Sequence, residues 1–251
     1  MLTAKYFIYD KINKTKKDFD SKNKELISSV ESVIITAQVT KIIGILKGAN
    51  FTYGNKIYFF SLLSKAEDMI VSSFHLARQR AAIETFSILR IAIEAIATAI
   101  HISEDKKALN NYLKGSYKST DSISYSKKYI PIIGKIWGAF SQAVIHINNK
   151  IYGPKVKIVK NKLHESLTIN YEIIQSDGKA DSLMLIAVHL VAVMVQRAFE
   201  IIFFKEDFSE GQLCFSIPDT NLKIYDTRYS DRIDNLYNKF LDLGSFDKRE
   251  E

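Results

Sequence analysis

Very little in this sequence can break a helix. Its 251 residues hold ten glycines and three prolines, too few for a fold built on many tight turns, and that scarcity favours long helices. Hydrophobic residues make up 47% and charged residues 25%, so a core of ordinary size is available. The length suits one large domain or two small ones. No internal repeat and no long linker divides the chain, so a single helical domain over 1–251 is expected.

Apolar spacing predicts the elements. Residues 1–16 read as a lead-in segment. A helical pattern runs from Lys17 to about Leu46. A second helical region spans about Ile57 to Ile102 and is read as two helices, with a break near His75–Gln79 that no Gly or Pro marks. Ala108–Leu113 suits a short helix ended by Gly115. Ser116–Ser126, rich in Ser, Tyr and Lys, reads as a loop. Pro131 fits the first turn of a helix reaching about Asn149. Alternating apolar and polar residues over 155–175 predict a β-hairpin. Helices over about Ala180–Phe204, and from Asn221 or Ser230 to Leu243, follow, with a frayed tail at 245–251. The expected class is mainly α: a single-domain helical bundle with a small β-hairpin insertion.

Leu183–Val195 is read as too short an apolar run to cross a bilayer, and Ile91–Ile100 carries Glu94 in its middle. The first residues lack the apolar stretch of a signal peptide. The single cysteine, Cys214, forms no internal disulfide, which suits a reducing compartment, and it reads as a small packed residue. A cytoplasmic protein with no membrane partner is expected.

The net charge is +7, and Lys supplies 28 of the 35 basic residues. A solvated lysine surface explains this, and attraction to nucleic acid or an anionic membrane is the functional alternative. The lysines gather at Lys11–Lys24, Lys127–Lys128 and Lys155–Lys162, without an interleaved pattern of Arg and aromatics.

Three apolar helices carry polar stripes. In the segment after Gln79, the residues Glu84, Ser87, Arg90, Glu94, Thr98 and His101 fall within about one third of the circumference at helical spacing. Arg90 and Glu94 are an i,i+4 pair in the weaker order. The pair either locks this helix to a neighbour or faces a ligand. In the helix after Pro131, Lys135, Gln142, His146 and Asn149 share a face, while Ser141 and Asn148 lie on another. His146 is a candidate acid or base, or a group bonding near a helix end. In the Ala180–Phe204 helix, Ser182, His189, Gln196 and Glu200 share an arc, with Arg197 to one side, and His189 reads as a core histidine. Helical metal-ligand spacings are absent and one Cys excludes a thiolate zinc cluster. No phosphate-cradling glycine loop or nucleophile elbow occurs. No cofactor and no metal are expected.

The segments Ile88-Leu-Arg-Ile-Ala-Ile-Glu-Ala-Ile96 and Ala139-Phe-Ser-Gln-Ala-Val-Ile-His-Ile-Asn148 resemble those of uncharacterised bacterial helical proteins with a HEPN-like architecture. The resemblance spans about residues 60–205. It implies a helical bundle, often dimeric, related to ribonucleases of toxin–antitoxin or phage-defence systems. The ribonuclease motif, Arg followed after four to six residues by His, is not matched. Arg90 stands too far before His101, and residue 142 is Gln. The catalytic set the resemblance leaves is Arg90, Glu94 and His146, with Arg holding a phosphate and His moving a proton. Candidate binding residues are Asn148, Gln142, His101, Arg197 and Glu200.

Three functions are in view. One is a nucleic-acid-directed, RNA-related effector or accessory protein of a bacterial stress or phage-defence system. Another is a non-enzymatic helical scaffold with a protein partner, and a homo-oligomer is expected. The third is a small-ligand sensor with the Arg90–Glu94 stripe lining a polar pocket.

Overall fold

The computed structural model describes residues 4–47, 56–145, 157–160, 167–170, 178–203, 215–216, 223–224 and 229–244, with side chains described at 10, 12–42, 57–142, 178–202 and 233–243. Among these residues the fold is helical. Its helices are α1 (Ala4–Lys22), α2 (Lys24–Lys47), α3 (Lys56–Arg78), α4 (Ala82–Glu104), α5 (Lys106–Leu113), α6 (Ser119–Ser126), α7 (Ile133–Ile145), α8 (Lys179–Phe203) and α9 (Tyr229–Gly244).

Most of the expected lead-in segment is instead α1. It contains no Gly or Pro, and Lys14–Asp10 and Lys22–Asp18 pair one turn apart at 2.8 and 3.0 Å, the spacing that supports a helix surface. The loop expected over Ser116–Ser126 is likewise corrected, since its second half winds into α6. Ile123 and Ser126 are buried there, and the Ser126 hydroxyl donates to the Ala97 carbonyl at 3.1 Å. Packing against α4 thus overrides the low helix propensity of a serine-rich stretch.

The β-hairpin expected over 155–175 is not supported as part of this fold. Of that span only the backbone of Lys157–Lys160 and Leu167–Asn170 is described, as a short antiparallel pairing. Residues 161–166 and the flanks lie outside the described residues. A two-stranded ribbon is marginally stable by itself, so the architecture rests on the helices. The frayed tail expected at 245–251 also lies outside the described residues.

Two helices make the centre. On α4, twelve residues are buried, among them Leu89, Ile93, Ile96 and Ile100. On α8, Leu185, Val188, Leu190, Val191, Met194, Val195 and Phe199 are fully covered. α4 packs on α3, α6, α7 and α8, and α8 packs on α2, α3, α4 and α9. A helix apolar on most of its circumference needs such neighbours on most sides. Phe86 of α4, Phe140 of α7 and Phe240 of α9 meet with ring centroids 5.4 to 6.3 Å apart, the separation at which edge-to-face pairs are favourable. By length and hydropathy, Ala82–Glu104 and Lys179–Ile202 each reach what a membrane span needs, and both helices are longer than the apolar runs Ile91–Ile100 and Leu183–Val195 within them. In the bundle 61% and 89% of their apolar windows are buried against protein.

The break expected near His75–Gln79 falls between α3 and α4, at residues 79–81. Arg80 there adopts a φ of +58°, a region costly to any residue with a Cβ. Its guanidinium compensates through long-range bonds. Nε donates to both oxygens of Asp181 at 3.0 and 3.1 Å, and Nη2 donates to Asp181 Oδ2 and Asp18 Oδ2 at 2.8 Å each. Asp181 lies in the first turn of α8 and is fully buried. Next to it, Arg78 grips Asp20 of α1 through a second fork. The turn therefore ties α1, α3, α4 and α8 together.

Candidate functional site

The α4 stripe passes from solvent into protein along its length. Glu84 is exposed, Ser87, Arg90 and Glu94 are half-buried, and Thr98 and His101 are buried. Arg90 Nε lies 3.5 Å from Glu94 Oε1. Trp137 of α7, not singled out in the sequence, lies against both groups. Its indole N–H donates to Glu94 Oε1 at 2.8 Å, and the Arg90 guanidinium lies 5.2 Å from its ring centroid. The pair is engaged in joining α4 to α7. His146 and Asn148, the other members of that expected site, lie outside the described residues. Gln142 is exposed on α7.

Arg197 and Glu200 come together on α8. Arg197 Nη1 donates to Glu200 Oε2 at 3.0 Å and Gln196 Nε2 donates to Glu200 Oε1 at 3.2 Å, with Glu200 and Gln196 buried. His189, expected as a core histidine, is buried, with Ser29 Oγ 3.4 Å from its Nδ1. A separate polar cleft of about 570 Å³ opens where α1 meets α2, lined by Ser21, Lys22, Asn23, Glu25, Ser29 and Ser182. Of the expected site residues, none with a described side chain lines that cleft.

The richest constellation surrounds His101, near the end of α4. Asp105 ends α4 and caps α5, accepting from the backbone amides of Lys107 at 2.7 Å and Ala108 at 3.3 Å. Those bonds, the one from Lys107 first, hold its carboxyl below the usual value. Gly115, at φ +71°, closes α5; this left-handed position is the usual glycine stop. The chain then returns over α4, so that α6 brings Ser122 and Tyr125 to His101. His101 Nδ1 has the Tyr117 hydroxyl at 3.0 Å and the Ser122 hydroxyl at 3.4 Å. Nε2 faces Asp105 Oδ2 at 3.7 Å. Burial lowers the pKa of His101 despite Asp105 and Asp121, and burial pushes Tyr117 up to about 12. Both groups are therefore neutral at neutral pH. Ser122 is fully buried, so this Asp–His–Ser geometry offers a solvent-borne substrate no nucleophile. It fixes the ring.

That fixed ring is one member of an aromatic chain. The His101 ring stacks on Tyr125 with centroids 4.2 Å apart and planes 20° from parallel. Tyr58 of α3, Tyr112 of α5, Tyr117, His101, Tyr125 and Tyr129 follow one another at 4.2 to 6.5 Å. The Lys128 ammonium stands 3.6 Å from the Tyr125 centroid and 4.7 Å from that of Tyr129. Along residues 104–128, Lys106, Lys107, Lys114, Lys118, Lys127 and Lys128 are all exposed, against the three acids Glu104, Asp105 and Asp121. The arginines with described side chains are by contrast committed to ion pairs, Arg78 with Asp20, Arg80 with Asp18 and Asp181, Arg90 with Glu94, and Arg197 with Glu200. Among the described residues, positive charge available to a partner is thus carried by lysine. The sequence shows His101 and the Tyr, Ser and Lys content of 116–126, and Tyr125 and Tyr129 stand four residues apart, but no single element's period joins them to Tyr112 and Tyr117. No family model, no curated protein and no solved structure matches the chain.

Proposed function

We propose that this is a nucleic-acid-directed, RNA-related effector or accessory protein of a bacterial stress or phage-defence system, which contacts its target through the tyrosine–lysine surface of α5 and α6. The observation that carries the nucleic-acid part is the alternation there of half-buried tyrosines with exposed lysines. Lysines attract phosphates and release their counterions, and aromatic faces stack on bases. The bacterial setting rests on the HEPN-like resemblance, which the helical class suits. On this reading α4 serves as the shelf on which the surface is built.

Full-length protein titrated into a fluorescent single-stranded RNA tests binding. Expected is association in the range of about 10⁻⁴–10⁻⁶ M, weakening steeply with added salt. No binding at low salt would refute the reading. A cleavage assay, with His146→Ala and Arg90→Ala as comparisons, tests the effector part. RNA left intact by the wild type would restrict the role to an accessory one. The scaffold alternative has in its favour Ile35 and Ile42, exposed by 44% and 53% on one face of α2. Sedimentation as a monomer, with no protein partner recovered, would remove it.

A further inference from the structure

We propose that Tyr125 and Tyr129 form a stacking platform for the unpaired bases of a single strand, and that Lys128 leaves the rings for a phosphate when the strand arrives. The proposal rests on the nucleic-acid reading above and names its substrate class.

The platform is rigid from behind. His101 covers one face of Tyr125, at 4.2 Å and 20°, and is itself held by the Tyr117 and Ser122 hydroxyls. With that face filled, the ammonium 3.6 Å from the Tyr125 centroid lies over the other one. Tyr129 shares the same cation at 4.7 Å, and its ring follows that of Tyr125 at 6.4 Å. Lys128 is exposed and lies in the turn after α6, so its side chain leaves without disturbing a helix. Lys128 gives up two exposed cation–ring contacts, each worth roughly 2–5-fold in an equilibrium constant. A base stacked on an aromatic side chain is worth roughly 5–150-fold. Exchanging the first for the second, and giving the freed ammonium a phosphate, favours the bound state.

Charge decides against a cationic occupant. A cation already lies over both rings, and along residues 104–128 the exposed lysines Lys106, Lys107, Lys114, Lys118, Lys127 and Lys128 outnumber the acids Glu104, Asp105 and Asp121. Duplex nucleic acid is also disfavoured, because its bases have their faces already stacked on one another.

Three fluorescent probes separate the possibilities by anisotropy with the full chain: a short oligouridine, an abasic strand of equal length, and an RNA duplex. The oligouridine is expected to bind at least about fivefold more tightly than the abasic strand. Tyr125→Ala should lose roughly 5–150-fold for the oligouridine and leave the abasic strand unchanged, while Tyr125→Phe keeps the wild-type affinity. Lys128→Gln should weaken both strands and reduce the salt slope by about 0.7. Tyr129→Ala, at a half-buried turn position, serves as the second platform variant if Tyr125→Ala fails to fold. Equal affinity for oligouridine and abasic strand, or for the duplex, overturns the platform and leaves the nucleic-acid reading standing. Absence of binding by all three probes overturns both.

Discussion

Replacing Arg80 by alanine takes from the buried Asp181 carboxylate its guanidinium partner. Asp181 is fully buried, and Arg80 keeps 22% of its side chain exposed. Removing one member of a buried ion pair costs about 3–5 kcal/mol, because the other charge is left in low dielectric. The partial exposure of Arg80 lets water reach the vacated position, so about 2–3 kcal/mol is expected, between the buried figure and the small worth of a surface pair. For a chain of this size that corresponds to a fall in Tm of roughly 4–12 °C. The backbone supplies a control. Arg80 has a φ of +58°, where a Cβ costs about 1–2 kcal/mol. Arg80→Gly loses the same ion pair but relieves that strain, so it should be less damaging than Arg80→Ala by about 1 kcal/mol. Urea unfolding followed by far-ultraviolet circular dichroism measures both, and a double-mutant cycle with Asp181→Ala isolates the pair. If Arg80→Ala costs under about 1 kcal/mol, or if Arg80→Gly is the worse variant, then this turn is not held open by its ion pairs and the reasoning fails.

Trp137→Phe keeps an aromatic ring over Arg90 but removes the donor to Glu94. A destabilisation of about 1–2 kcal/mol in urea unfolding is expected, with helix content unchanged; no loss would mean that water replaces the indole at no cost. The His101 pKa is lowered by burial from the ordinary 6.5, so below 6.5 the unfolded chain binds a proton that the folded one resists. Its contribution is complete above pH 6.5 and is lost as the pH falls through the folded value. The urea midpoint should fall on acidification below about pH 6.5, and His101→Gln should flatten that dependence. Tyr117, raised to about 12 by burial, should appear as a late step in an absorbance titration of tyrosinate, missing from Tyr117→Phe. Its contribution is present below the ordinary value of 10 and is lost as the pH rises through the folded one. Phe240→Ala opens the cluster with Phe86 and Phe140 and should cost about 3–5 kcal/mol, read by thermal unfolding.

What the sequence by itself determined is the helical class. Few breakers, and apolar spacing on α3, α4, α8 and α9, place these helices within a few residues of their observed bounds, whereas the single helix expected over Lys17–Leu46 is divided at Asn23 between α1 and α2. The same reading finds the stop of α5, because Gly115 acts on its own neighbours. It also finds the polar stripe of α4, since one helix lines those residues up without help from any other. Tertiary structure decided where the stripe leads. Trp137 closes over Arg90 and Glu94 from 43 residues further along the chain. Arg80 holds its turn through Asp181, 101 residues away. α6 forms because Ile123 and Ser126 are buried against α4, not because serine favours a helix. The tyrosines meet His101 only once α5 and α6 have folded back over α4. Periodicity reports what one element presents to its surroundings, whereas these contacts join side chains that the chain itself keeps far apart.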